Sequence, residues 1–394
     1  MQLPNSLANF VDQNYEDSFG TIADSMKAAL FHKAPHIFKA VDFENDDIFM
    51  EPLFLLKATY DPVPAFSYEQ ILFGYISDDL KPDQIKVLSS DKGIVYLPHF
   101  GYLKTQALSS ELDLFYDRES NTVRLQSNGA GVEYTFIPIA LVEDTQIEIQ
   151  QYNNPLNDDN YGTKDNRQIV DIETGFRDHA EHVRKAMEII KNHYPWYYSY
   201  VTKAVKKIVV FYNDQVRSFA SRTTTGISYV SARKEYNEVF FMEDLVHQGA
   251  HNILYILTVY MEEYFAVDAK NGKINQFNKN QDDQRSIYSA YHGMFSLANI
   301  TSLFATVLEK GVFEGHKKHE LIGRMADNLR RLGHNIQDVK YREAYTEKGW
   351  KLLLAIEDRY NALMAEYGTF ISKYNTSNQP YVFDYSIFLK ENPM

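Results

Sequence analysis

His247 and His251, four residues apart in a run without proline, are the side chains of this sequence best spaced for chemistry. Residues 239–257 carry apolar side chains at three- and four-residue steps, which predicts a buried or half-buried helix. On such a helix the two imidazoles stack one turn apart and can reach a single metal ion. The next residue limits what that ion could do. Zinc peptidases with H-E-x-x-H use the glutamate to take a proton from metal-bound water. This chain has Gln248, an amide without useful basicity, so hydrolysis by that route is disfavoured. Leu254 and Leu257 stand where the extended metzincin pattern has glycine and histidine. Glu262 and Glu263 follow about three turns along the same expected helix, poorly placed to reach back.

His292 is the better third ligand. It opens a second apolar helical run ending near residue 307, so it can project from a neighbouring helix towards the first. Two histidines from one helix and one from another leave open coordination positions, which a catalytic metal needs. Asp283 is the carboxylate to nominate if the site is instead two histidines and one acid. Glu243 and Asp244, one turn before His247, read as an acidic helix start or as partners of the ligands rather than as ligands themselves.

The elements that must position these residues suggest an α+β protein. At 394 residues the chain is long enough for one large or two closely packed domains. Residues 1–152 read as a mixed region with a small antiparallel sheet, its strands near 94–97, 112–116, 122–125, 134–137 and 147–150. This region is the candidate for peptide or leader recognition. Residues 153–166, rich in Asn, Asp and Gly, read as a linker, and 167–394 as a mainly helical metal-site domain. Within the latter, 207–212 is strand-like and 221–231 is an extended segment expected to cross near the metal helix. His32 and His36 are also four apart, but Pro35 between them breaks the turn that the spacing requires. His179 and His182 read as solvated or capping histidines, and Arg324, Arg330, Arg331 and His334 as a solvated basic face.

Composition excludes several classes. A net charge of -13 and a pI near 5.4 argue against a nucleic-acid partner, since phosphate binding needs fields of Lys and Arg. With no cysteine there is no disulfide, no thiolate metal site and no cysteine nucleophile. Residues 1–14 lack a signal-peptide pattern and no run approaches the ~18 apolar residues of a membrane span, so a soluble cytoplasmic protein without a membrane partner is expected. The 29 Tyr and 25 Phe point to aromatic-lined surfaces or a pocket as well as a core.

Over residues 194–350 the order of features resembles the H-E-x-x-H motif proteins found beside ribosomally made peptide precursors, a family of iron and 2-oxoglutarate-dependent peptide β-hydroxylases. The resemblance rests on Pro195-Trp196, Gly226-Ile227-Ser228, the Leu245–His251 motif, Asp283-Gln284-Arg285 and His292-Gly293, in that order. Arg285 and His292 are seven apart, as in the family. The resemblance implies iron(II) on His247, His251 and His292, 2-oxoglutarate with its distal carboxylate on Arg285, and a precursor peptide as partner. A bidentate, permanently charged guanidinium suits that carboxylate. Arg222 and Arg233 are the runner-up anchors for it, and Tyr229, Tyr288 and Tyr291 candidate pocket residues. Gln248 departs from the motif glutamate, Gln284 and Ser286 from two prolines, and Asn280 and Gln281 from a tryptophan and an arginine. Two readings follow from Gln248. An oxygenase has no need of the base, whereas a non-catalytic paralogue would keep the scaffold to bind peptide. A zinc peptidase is the distant third.

Overall fold

The structure, a computed structural model, describes residues 6–163, 166–277 and 282–394. Asn280 and Gln281 therefore lie outside the described residues. The chain separates into two compact units, one of Met1–Ser18, His182–Val201 and Glu235–Met394, the other of Phe19–Glu181 and Thr202–Lys234. The expected division at 153–166 is corrected by this. Asn154 caps the 3-10 helix Pro155–Asn160 by accepting from the Leu156 amide, and Leu156, Asn154 and Asn157 are buried. Turn-forming residues here make a capped turn inside a core, with Asn157 Oδ1 accepting from the Tyr229 hydroxyl at 3.2 Å. The boundaries fall instead within the helices Ser6–Lys33, Ile172–His193 and Pro195–Ala204 and in the loop before Glu235.

The sheet-bearing unit has the α+β character expected, with more sheets than one. A four-stranded antiparallel sheet runs in the order Gln84–Leu88, Glu111–Asp117, Thr122–Ser127, Ala130–Val132. Glu111–Asp117 alternates the buried Leu112, Leu114 and Tyr116 with half-buried or exposed residues, so one face packs with Phe73 and Val87 while the other is wetter. A three-stranded antiparallel sheet orders Ile94–Leu97, Gly101–Thr105 and Tyr134–Ile137. A third, mixed sheet places Lys207–Phe211 parallel to both Ile227–Ser231 and Glu148–Ile149. Lys207–Phe211 is buried along its whole length, which is why it reads as a continuous apolar run. Residues 227–231 thus serve as a strand of this sheet.

The other unit is helical. Glu238–Leu257, the histidine helix, starts at Asn237, whose side chain accepts from the Val239 amide. It ends at Leu257, capped by Thr258, so Glu262 and Glu263 lie on a separate 3-10 turn and not on its continuation. Ile287–Glu309 follows, capped by Ser286 accepting from the Ser289 amide, and is buried over most of its length. Gly315–Val339 and Glu347–Ile371 pack against it. Gly249 marks a close approach on the histidine helix: a Cβ there would stand 2.6 Å from Val201 Cγ2 and 2.7 Å from the Tyr197 hydroxyl. Among the described residues no helix is long and apolar enough to cross a membrane.

Candidate metal centre

The three histidines meet. The rings of His247 and His251 have centroids 4.7 Å apart and those of His251 and His292 4.3 Å apart, both pairs edge to face. Imidazoles bound at ~2.0–2.1 Å to one ion at right angles would have centroids roughly 4.5 Å apart. Helical spacing sets the first distance and the packing of Ile287–Glu309 on Glu238–Leu257 the second. Among the described residues no group of three His, Cys, Asp or Glu is arranged as it stands to hold an ion. The rings share one locus.

Electrostatics keeps the trio neutral. Burial, with repulsion from His292 and His247, holds the His251 imidazole well below its ordinary range. Burial and His247 bring His292 down to about 4. His247 is lowered by burial and Arg331, with Glu243 pulling the other way. Neutral imidazole is the form that ligates a metal. The Nδ1 atoms of His251 and His292 are buried without a hydrogen-bond partner, as is Gln248 Oε1. Each such atom costs about 1–3 kcal/mol, and an ion on an imidazole nitrogen would remove part of that cost.

The surrounding residues fix the trio rather than join it. Gln248 Nε2 donates to Asp244 Oδ1 at 3.2 Å, one turn back on the same helix. Glu243 accepts from Arg324 Nη1 at 2.6 Å and Asn328 Nδ2 at 2.8 Å. Arg324 also pairs with Glu320 at 2.7 Å and is 3% exposed, so the basic face expected of Gly315–Val339 is corrected at this residue. Two carboxylates and the rings of Phe240 and Phe383 replace its water. His179 is corrected too. His182 stacks on Phe241 and lies 3.1 Å from Glu238 Oε1, while His179 is buried, 2.8 Å from the Tyr212 hydroxyl.

Arg285 sits in the loop before the helix of His292, with its guanidinium engaged. It donates to both oxygens of Asp283, at 3.0 and 2.7 Å, to Asp338 at 2.7 Å and to Asn335 Oδ1 at 2.7 Å. Asp283 spends both oxygens on this fork, which corrects its nomination as a ligand. Asn335 Nδ2 lies 3.7 Å from where a Cβ on Gly293 would stand, so one amide links Arg285 to the residue beside His292. Tyr288 approaches the trio, its ring 5.7 Å from that of His292 and its hydroxyl 3.0 Å from Thr258 Oγ1. Tyr291 turns its hydroxyl to the Gly349 carbonyl at 2.8 Å. Arg222, Arg233 and Tyr229 belong to the sheet-bearing unit, Arg222 in the turn Arg222–Thr224 and Tyr229 stacked on Phe219.

Sequence reasoning missed Asn328, Asn335 and Asp338, and with them the stripe 324, 328, 331, 335, 338 along one side of Gly315–Val339. The three- and four-residue steps of that stripe were readable. That a polar stripe faces a buried site was not. No family model matches the chain, and no curated protein matches it.

Proposed function

We propose that the chain is an iron(II)- and 2-oxoglutarate-dependent oxygenase that hydroxylates a side chain, at Cβ, of a ribosomally made peptide. The observation that supports this most is the meeting of three neutral imidazoles from two helices, with centroid spacings of 4.7 and 4.3 Å. His247, His251 and His292 would hold the ion, and three protein donors leave positions for a co-substrate. Arg285 would take the distal carboxylate in place of Asp338, whose side chain is 40% exposed against 7% for Asp283. When bound, such an iron supplies one-electron and dioxygen chemistry, which needs no carboxylate base at position 248. The chain's own residues do the rest. Burial keeps the imidazoles unprotonated, the Glu243–Arg324–Glu320 cluster fixes the turn before His247, and Gln248 braces Asp244.

Anaerobic titration of the full chain with iron(II) and then 2-oxoglutarate tests the reading. A visible charge-transfer band, absent from His251→Ala, is expected from a keto acid chelating an open iron site, followed by addition of one oxygen to a peptide in mass spectrometry. Absence of the band overturns it. A second reading, a non-catalytic peptide-binding paralogue, is favoured by the internal acids that already satisfy Arg285. It predicts peptide binding indifferent to iron and 2-oxoglutarate. A zinc peptidase remains the weakest reading, because Gln248 supplies no base, and it would show chelator-sensitive cleavage.

A further inference from the structure

Away from the trio, the helix Gly315–Val339 opens with His316 and His319, three apart and so on one face. Tyr385, the first residue of the C-terminal helix Tyr385–Glu391, places its phenol oxygen 3.2 Å from His316 Nδ1 and 3.2 Å from His319 Nδ1. The phenol can donate to one of these nitrogens and accept from the other as an N–H, so hydrogen bonds already draw the three groups together. Both distances lie at the long end of the hydrogen-bond range of about 2.7–3.2 Å. Two donors at ~2.0–2.1 Å from a tetrahedral ion lie roughly 3.3 Å apart. The observed spacing of the phenol from each imidazole therefore also suits ligands of one ion.

We propose that His316 Nδ1, His319 Nδ1 and Tyr385 Oη form a second metal site, taking a divalent ion of the zinc or copper class. Binding replaces the phenol proton, which leaves to solvent, with an oxygen–metal bond, and water completes the coordination on the side of the exposed His316. Glu320 is no ligand here, since one oxygen bonds Arg324 and the other Asn237. The base of the site is already built. Phe388 packs 5.0 Å from the ring of His319 and lies against Gly323, where a Cβ would meet its ring at 2.7 Å. An ion would therefore fasten the C-terminal helix to the start of Gly315–Val339, a role independent of the oxygenase reading.

The test uses the full chain with His247, His251 and His292 all changed to Ala, so the trio cannot contribute. Copper(II) titration should saturate at one equivalent, with a phenolate-to-copper charge-transfer band that zinc suppresses by competition. Tyr385→Phe should abolish the band while keeping the ring packing, and His316→Ala, at an exposed position, should weaken binding at least tenfold. No saturable binding in the micromolar range, or a band that survives Tyr385→Phe, overturns the proposal. If Tyr385→Phe fails to fold cooperatively, unchanged affinity in His316→Ala overturns it equally.

Discussion

At the scale of single residues, the site depends on which polar groups have partners. Gln248 donates to Asp244 in a place where water is excluded, and both residues are 9% exposed or less. Restoring the motif glutamate with Gln248→Glu would put two carboxylates together there. It should cost about 1–3 kcal/mol in urea unfolding without creating peptidase activity. An increase in stability would show that the amide is not bracing Asp244. Glu238 offers a pH test. Burial pushes its carboxyl up, but the Lys317 bond, backbone and His182 more than offset this and bring it down to about 2. A folded value below the unfolded one gives stability that is present above about pH 4.5 and lost as pH falls through about 2. Glu238→Gln should flatten the acid limb of a stability profile over that window and leave the neutral limb parallel to wild type.

At the scale of elements, the histidine helix is held by contact rather than propensity. Alanine is ordinarily the better helix former, by about 0.8–1 kcal/mol over glycine. At Gly249 the added methyl would meet Val201 and the Tyr197 hydroxyl, which donates to the Val246 carbonyl at 2.8 Å. Overpacking wins over propensity in a core of this kind, so Gly249→Ala should lower stability by about 1–3 kcal/mol and, on the proposed oxygenase reading, weaken iron(II) binding together with it. A rise in the melting temperature would contradict this. The helix of His292 is set by its cap. Ser286→Ala removes an acceptor for the Ser289 amide and should cost about 0.5–2 kcal/mol in thermal or chemical unfolding.

At the scale of the whole molecule, the two units interleave along the chain, and residue 207 shows what that means. Lys207, 2% exposed, lies 3.1 Å from Glu51 and 3.4 Å from Glu148, residues far earlier in the chain. Tyr75 donates to Glu51 at 2.7 Å, and Tyr96 and Tyr102 donate to Glu148. Removing the cation with Lys207→Met would leave two buried carboxylates facing each other and should cost about 3–5 kcal/mol. Residues 167–394 expressed alone would lose both acids and the strand Glu148–Ile149 beside Lys207–Phe211. That fragment should give no cooperative unfolding transition by circular dichroism, and a sharp one would show that the helical part folds by itself.

Some of this was written along the chain. The histidine pair, the helix that carries it and the strands between 94 and 137 follow from spacing and alternation, because 3.6-residue and two-residue periods are local properties of the backbone. The sequence also contained His316 and His319, but the phenol that faces them is 66 positions beyond the second. Only the tertiary structure brought His292 to His251, buried Arg324 between two acids and turned Asn154 and Asn157 inward. Each of these depends on partners distant in the chain. A local pattern says which face of an element is apolar, whereas the fate of a charge or an amide is decided by whatever the fold sets opposite it.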